Sequence, residues 1–494
     1  MQPNKYQSDV YSHFEAMSGH SAVVSVAGSG KTTTALQAIS YLPAGTSTLL
    51  GAFNTSIRDE FKERGMALGL KNITYTNFNG FGWKICMQNM KSPPELDKEK
   101  TQKLLEFVVY KPNYADENDM KRFNFWKSPI ERLVSLFKSL NIHSLNEADK
   151  KFDGIVDYYN LDIPDEDEFR QCVMDTFQAS MVHMAHFDFD DQKWMPLHHG
   201  WAIPKYDQVV LDEFQDTCPV EYALMISAAG DHGQFCAIGD PDQTIYGFKG
   251  AKPGIFDDYI KAHNAKTLPL SICYRCPIEV IKEAQKIVPR IEWAPGAMKG
   301  SVNNRSREEF LKNVQDRDFV LCRTTDELVA AQIALTRMGR KSKVRGRDFC
   351  TMLSFIIDRV SKRERNMPIA EFITRLLEYQ IARSEQLKLI RRENEIINLE
   401  DRLSTIRALS EEATRVEDIF TRMKDIFTDV PHTGIDLMTV HKSKGLQSKN
   451  VWILRPDLLP HPRSSAKKWM EAEEMRLKYV GVTRAQENLT WVGK

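Results

Sequence analysis

The stretch from Ser25 to Thr32 reads Ser-Val-Ala-Gly-Ser-Gly-Lys-Thr, and its residue types suit the holding of a polyphosphate. Gly28 and Gly30 let the backbone turn sharply, so that successive N–H groups face inward beside the positive end of a following helix. Lys31 is then placed to reach β and γ phosphates as a point charge, and the Thr32 hydroxyl to hold a magnesium ion. The strict phosphate-loop pattern has glycine where Ser25 stands, and an ordinary strand-to-helix turn is the competing reading. Two further stretches carry chemistry. Asp212-Glu213 closes the apolar run Tyr206 to Leu211, and adjacent carboxylates at the end of a buried strand are costly unless a cation or proton work offsets them. Asp212 suits a metal's coordination sphere, and Glu213 the orienting and deprotonating of a water. Within Ala237 to Ala251, Gln243 both donates and accepts hydrogen bonds, which fits contact with a γ-phosphate and a water together.

These residues need a frame. Ala22-Val23-Val24 reads as a buried strand and Lys31 to Leu42 as a helix, with Ala35, Leu36, Ala38, Ile39 and Leu42 at helical spacing. Asn4-Lys5-Tyr6-Gln7 leads an amphipathic helix through Val10, Phe14 and Met17, where Gln7 taken alone is a solvated or capping residue. Thr48 to Phe53 and Asn72 to Thr76 are strands around a helix from Ile57 to Leu68. Such alternation predicts a parallel sheet with helices on both faces and a ligand at the carboxyl ends of the strands. From Met87 to about Met184 the pattern turns helical, with Phe123, Phe125, Trp126, Leu133, Leu136 and Phe137 as expected core and an acidic, solvated patch at Asp162 to Glu168. Phe355 to Phe427 is again helical, and Leu389, Ile396, Leu399, Leu403, Ile406 and Ala413 recur near a 3.5-residue period, as in an arm or hairpin.

Bulk properties bound the answer. A chain of 494 residues is too long for one core, so two to four domains are expected. Lys and Arg number 67 and so do Asp and Glu, so a nucleic-acid partner would have to rest on a local basic groove rather than on net charge. The basic run from Gly339 to Arg347 is a candidate phosphate contact, with a solvated turn as the alternative. The eight cysteines form no disulfide framework, and Cys273-Tyr274-Arg275-Cys276 lacks the second pair that a zinc site needs. No signal core or membrane-length apolar run is present, which leads us to expect a soluble, intracellular, cytoplasmic protein, or one in the host cytoplasm if viral.

Taken in order, the phosphate loop, Asp212-Glu213-Phe214-Gln215-Asp216 and Gly239-Asp240-Pro241-Asp242-Gln243-Thr244-Ile245-Tyr246-Gly247-Phe248-Lys249-Gly250-Ala251 resemble the motifs of the UvrD/Rep/PcrA-like superfamily 1 DNA helicases. Downstream, Leu268 to Ile272 reads as a strand followed by Tyr274-Arg275, Asp318 to Thr324 as another, and Thr439 to Leu446 and Glu473 to Ala485 resemble the family's later motifs. The resemblance implies an α/β fold of two RecA-like parallel-sheet P-loop motor domains, each with a mainly helical insertion. The expected bounds are 1–86 and 187–266 for the first motor domain, 87–186 for its insertion, 267–350 and 431–494 for the second and 351–430 for its insertion. ATP and Mg2+ are the implied cofactors. Gln7 would read adenine and Tyr274 stack on it, while Ala27, Gly28, Ser29, Gly30, Lys31, Thr32, Thr33 and Gly445 complete the nucleotide set. Thr32 and Asp212 would hold the metal. Glu213 would activate water, Gln243 sense the γ-phosphate, and Arg275 and Arg484 act as transition-state arginines, a role worth about 10³- to 10⁵-fold in rate.

Phe53, Asn54, Asn79, Phe189, Tyr246, Phe248, His441 and Lys442 would contact DNA. Each aromatic face offers a stack worth about 1–3 kcal/mol to any base, although Phe53, Phe189 and Phe248 also read as core aromatics near a domain seam. Three positions depart from the family pattern: Gln447 stands for Glu, Asn79 for His and Lys249 for Arg. The implied activity is an ATP-dependent DNA helicase or single-strand translocase moving 3′ to 5′, a monomer acting on single-stranded DNA and its junctions with duplex, alongside replication or repair partners. With the chain ending at Lys494 soon after the last motif, no nuclease domain is expected. The shortened second insertion keeps open an ATP-gated clamp or protein-displacing factor that does not separate strands. A phosphate-transferring enzyme acting on small molecules is a third reading.

Overall fold

The computed structural model describes residues 2–493 except 160, 162, 165, 246, 248, 249, 251–253, 390–392, 431, 432, 463 and 465–467. Tyr246, Phe248 and Lys249, three of the expected contact and motif positions, lie outside the described residues, as does the Asp162 end of the acidic patch. By its contacts the chain divides into two units, one of Met1–Val26 with Gly30–Ser271 and one of Ala27–Ser29 with Ile272–Lys494. No described helix is long and apolar enough to cross a membrane.

The first unit is built on strands β1 (Ser21–Ser25), β2 (Thr48–Ala52), β3 (Ile73–Asn77), β4 (Tyr206–Leu211), β5 (Ala229–Gly239) and β6 (Lys266–Leu270). They lie in the order β3-β2-β4-β5-β1-β6, and every neighbouring pair is parallel. Helices cover both faces, so the inner strands carry consecutive buried apolar residues such as Leu49-Leu50 and Val209-Val210, and the pleat sends alternate ones to opposite cores. Leu50 and Val210 join Val10, Phe14, Leu36, Phe61 and Ile238 on one side. Leu49 and Val209 join Phe81, Phe214, Phe235 and Tyr259 on the other.

Strand β6 corrects one expectation. Its Leu268 sits beside Val23 of β1, so the segment completes the first sheet instead of opening the second unit. The division falls after Ser271 rather than at the expected 266/267 boundary. Local sequence shows that a strand is present, but the sheet that accepts it is chosen by pairing across hundreds of residues.

Between β3 and β4 run helices Lys100–Leu104, Glu117–Ser139, Leu145–Tyr158 and Asp167–Val182. They line a core that includes Phe123, Trp126, Leu133, Phe137, Phe152, Phe169 and Phe177, and that also takes in Cys86, Trp194, Cys218 and Val220 from outside these helices. Trp126 meets Phe169 edge to face with ring centroids 5.4 Å apart. Phe125, expected in this core, is 45% exposed. Phe123 and Trp126, three apart, share the inward face, and a residue two positions from the first points away at about 100° per residue.

The second unit holds β7 (Ser301–Arg305), β8 (Phe319–Cys322), β9 (Ser342–Val344), β10 (Ile435–Thr439), β11 (Ser448–Leu454) and β12 (Ala485–Val492), ordered β7-β12-β11-β8-β10-β9 and again all parallel. Helices Arg347–Val360, Ile369–Leu389, Glu393–Ser410 and Val416–Ile426 follow β9. Their Leu353, Leu376, Leu399, Leu403, Ile406 and Met423 belong to one continuous core with Val320 and Leu437 of the sheet. The near-3.5 spacing therefore marks a face packed among neighbouring helices, Thr325–Arg337 and Ile369–Leu389 among them, inside the core that the unit's sheet shares; the Leu389 side chain lies outside the described set.

The basic run is also partly consumed within this unit. Arg345 forks onto Asp436 through Nε and Nη2 at 3.0 and 2.9 Å, Arg340 donates to the Val314 carbonyl, and Lys343 donates to the Asp425 carbonyl. Those three cations serve local packing in place of a free phosphate-binding strip.

Candidate active site

Strand β1 ends at Ser25, whose hydroxyl donates to the Gly239 carbonyl at 2.7 Å and so ties the ends of β1 and β5 together where the strict pattern has glycine. Gly28 and Gly30 adopt left-handed φ values of 66° and 79°, as the tight loop requires, and Gly30 caps the helix Lys31–Ser40. The loop tip Ala27–Ser29 groups with the second unit. There the Ala27 N–H donates to Tyr479 Oη at 3.0 Å and the Tyr274 N–H to the Gly28 carbonyl at 2.9 Å. A Cβ on Gly28 would lie 2.6 Å from Arg275 Cβ, which only glycine avoids.

Gln7 is engaged twice. It forms a capping box with Asn4, and its Nε2 donates to Thr34 Oγ1 at 3.2 Å. Thr33 Oγ1 accepts from Arg64 Nη2 at 2.7 Å.

At the carboxyl end of β4 the charges converge. Lys31 Nζ pairs with Glu213 Oε1 at 2.6 Å. Burial pulls the Lys31 pKa down, but Glu213, Asp212 and Asp240 outweigh it and leave it raised. Asp212 is 2% exposed, and burial, reinforced by Glu213, pushes its carboxyl up to about 7. Its Oδ1 is buried with no hydrogen-bond partner among the described residues. One lysine among three carboxylates leaves the cluster short of positive charge, so its donor set fits a hard divalent cation. Among the described residues no group of three or more His, Cys, Asp or Glu could hold a metal by itself.

Glu213 itself has φ 52° and ψ 39°, a left-handed conformation that costs a non-glycine residue roughly 1–3 kcal/mol and concentrates at functional sites. Gln215 is fully buried; its Nε2 donates to Glu213 Oε2, and its Oε1 accepts the Asp240 N–H at 3.0 Å. Gln243 Nε2 donates to Asp240 Oδ2 at 2.7 Å.

On the second unit, Arg275 Nη1 donates to the Thr483 carbonyl at 3.2 Å, and its Nε is buried without a partner among the described residues. Arg484 is 1% exposed, with Nε on the Val480 carbonyl at 2.8 Å and Nη1 on the Leu446 carbonyl at 3.2 Å. Its fork is held by its own unit's backbone. Tyr274 is 41% exposed, and Gly445 has φ 83°.

The expected strand-contact residues divide into engaged and presented. Asn54 caps the helix Thr55–Ala67 by accepting the Ile57 N–H at 2.9 Å, and Phe53 packs partly buried against the sheet core. Asn79 Nδ2 donates to the Phe189 carbonyl at 2.8 Å and to Gln192 Oε1 at 2.9 Å, so it positions that turn. Phe189 is 46% exposed with Lys98 Nζ 5.4 Å from its ring centroid. The His441 pKa is held down to about 3 by desolvation, Arg323 and Lys444, which keeps the ring neutral, and the Lys442 side chain is 37% exposed.

Gln215, which is not among the expected site residues, stands at the site of the first unit. An amide two residues from paired carboxylates is a readable signal for it.

Residues 4–264 match the family model described as the UvrD/REP helicase N-terminal domain. The chain is 25% identical to YjcD of Bacillus subtilis over 447 residues, covering 67% of this chain and 58% of that protein. It is 22% identical to DNA helicase II of Escherichia coli over 399 residues, covering 58% and 55%, and 24% identical to ATP-dependent DNA helicase UvrD1 of Mycobacterium tuberculosis over 303 residues, covering 54% and 37%. The chain thus spans about half the length of the curated relatives it matches. With the family match extending over more than half of its 494 residues, and with a parallel sheet that brings Lys31 onto Glu213 beside Asp212, the protein belongs to the UvrD/Rep helicase family.

Proposed function

We propose that the protein is an ATP-dependent DNA helicase or single-strand DNA translocase, moving 3′ to 5′. The observation that carries this reading is the Lys31–Glu213 pair at 2.6 Å beside the charge-deficient Asp212, at the strand ends where a parallel sheet binds its ligand. The two parallel sheets serve as RecA-like motor domains, and the helices from 87 to 186 and from 351 to 430 as their insertions.

Lys31 holds the β and γ phosphates of ATP, while Thr32 and Asp212 hold Mg2+, which when bound neutralises charge developing on the phosphates. Glu213 takes the proton of the attacking water, and Gln243 contacts the γ-phosphate. Arg275 and Arg484 stabilise the transferring phosphoryl group. Because Arg484 is bound to the Val480 and Leu446 carbonyls, its participation requires exchange of those bonds and so couples hydrolysis to movement. Phe189 offers its exposed ring for base stacking, and Tyr274 offers its own to adenine.

ATP turnover measured with single-stranded DNA, with RNA and with neither tests the substrate. Stimulation by DNA supports the reading, and turnover indifferent to nucleic acid overturns it. A second reading, an ATP-gated clamp or protein-displacing factor, is favoured by the second helical stretch sharing one continuous core with the rest of its unit. DNA-stimulated turnover without strand separation on a duplex bearing a 3′ single-stranded tail would select it.

A further inference from the structure

A strained glutamate needs something to hold it, and Gln215 is the side chain placed to do so. The Glu213 carboxylate is gripped at both oxygens, Oε1 by Lys31 Nζ at 2.6 Å and Oε2 by Gln215 Nε2. The other end of the same amide accepts the Asp240 N–H at 3.0 Å, and Asp240 in turn receives Gln243 Nε2 at 2.7 Å. The amide sits in the space that a side chain at position 239 would need, since a Cβ on Gly239 would fall 2.0 Å from Gln215 Oε1. Only a carboxamide of this length both donates to a carboxylate and accepts from a backbone N–H. A carboxylate would repel Glu213, and a thioether would fill the volume while doing neither.

We propose that Gln215 is a positioning residue that fixes the Glu213 carboxylate in register with Gln243, so that the water-activating group and the γ-phosphate contact are set by one buried amide. This rests on the reading of Glu213 as the group that activates water. The bonds run in series: a shift of the Asp240–Gln243 segment pulls on Gln215 Oε1, and Gln215 Nε2 passes the shift to Glu213. A displacement of about 1 Å of a reacting group is enough to cost on the order of 10²-fold in rate.

The test compares Gln215→Met, Glu213→Gln and the double variant in the full chain, with ATP, Mg2+ and single-stranded DNA. We expect Gln215→Met to lower kcat by about 10²-fold with the ATP half-saturation concentration within about 2-fold of the parent, the signature of lost transition-state geometry rather than lost binding. Adding Gln215→Met to Glu213→Gln should cost nothing further, because the two act as one unit. A merely structural role would instead give losses that multiply, with weakened ATP binding.

Gln215→Glu covers the case in which the Met variant fails to fold. It keeps the acceptor for the Asp240 N–H and turns the donor into a repelling oxygen, so turnover should fall at least as far while a fluorescent ATP analogue still binds. Turnover by either folded Gln215 variant within about 3-fold of the parent, or multiplicative losses, overturns the inference. Should Glu213→Gln itself remain active, the assignment of Glu213 fails first. An inactive Glu213→Gln beside an active Gln215→Met sinks the positioning role alone.

Discussion

Two clusters of buried charge lie in the first unit, and they are built to different rules. Around Asp188 and Asp191, Lys100 Nζ meets Asp191 Oδ2 at 2.7 Å and the Ser180 carbonyl at 3.1 Å, while Lys138 Nζ meets Asp188 Oδ2 at 3.0 Å and Asp191 Oδ1 at 2.8 Å. Both lysines and Asp191 are almost wholly buried. Two cations face two buried carboxylates, and each ammonium is held from more than one side. Around Asp212, one lysine faces Glu213, Asp212 and Asp240, and a buried carboxylate oxygen is left over.

In the first cluster each Asp191 oxygen lies against a lysine ammonium. In the second, Asp212 Oδ1 has no hydrogen-bond partner among the described residues, which suits the cation and phosphate chain proposed for it. A balanced buried network fixes geometry, here the Asp188–Asp191 turn that presents Phe189, whereas an unbalanced one reserves its energy for a ligand.

The comparison can be broken most sharply at its catalytic end. Glu213→Gln should reduce DNA-stimulated ATP turnover by about 10²- to 10⁴-fold while leaving ATP binding intact, which steady-state kinetics and equilibrium binding report separately. The largest effect on stability belongs to the other cluster. Lys138→Met strands two buried carboxylates and should cost about 3–5 kcal/mol, read from denaturant unfolding, and a cost below about 1 kcal/mol would show the network to be dispensable.

A paired substitution sharpens the contrast. Asp212→Asn removes a charge that burial and Glu213 disfavour, so the ligand-free chain should gain on the order of 1 kcal/mol while losing its response to Mg2+. Asp191→Asn should move stability the opposite way, because it takes from the buried Lys100 and Lys138 the carboxylate they share. Equal signs for the two would erase the distinction.

The smallest effect concerns pH in the helical stretch. His198 stacks on Trp194 with ring centroids 4.2 Å apart, and burial, helped by His199 and His143, lowers its pKa to about 4. Because the folded value lies below the unfolded value of about 6.5, the unfolded chain binds the extra proton between them. This contribution is whole above that window and lost as pH falls through it. Thermal unfolding at pH 7.5 and pH 5 should show the loss, and His198→Phe should lessen it.

What the sequence by itself determined was local. Gly28, Gly30 and Lys31 between an apolar strand and an amphipathic helix state a phosphate loop, because turn chemistry and periodicity are short-range. Asp212-Glu213 after Val209-Val210-Leu211 states a strand-end carboxylate pair for the same reason.

Only the tertiary structure decided the rest. Lys266–Leu270 joined β1 in the first sheet, and the helices after β9 joined a core continuous with the second sheet. Lys100 and Lys138 came to Asp191 from distant helices, Asn54 and Asn79 spent their amides on a cap and a turn, and Gln215 became the link between Glu213 and Asp240. Pairing energy and charge compensation act between groups brought together by folding, and no short window of sequence contains both partners.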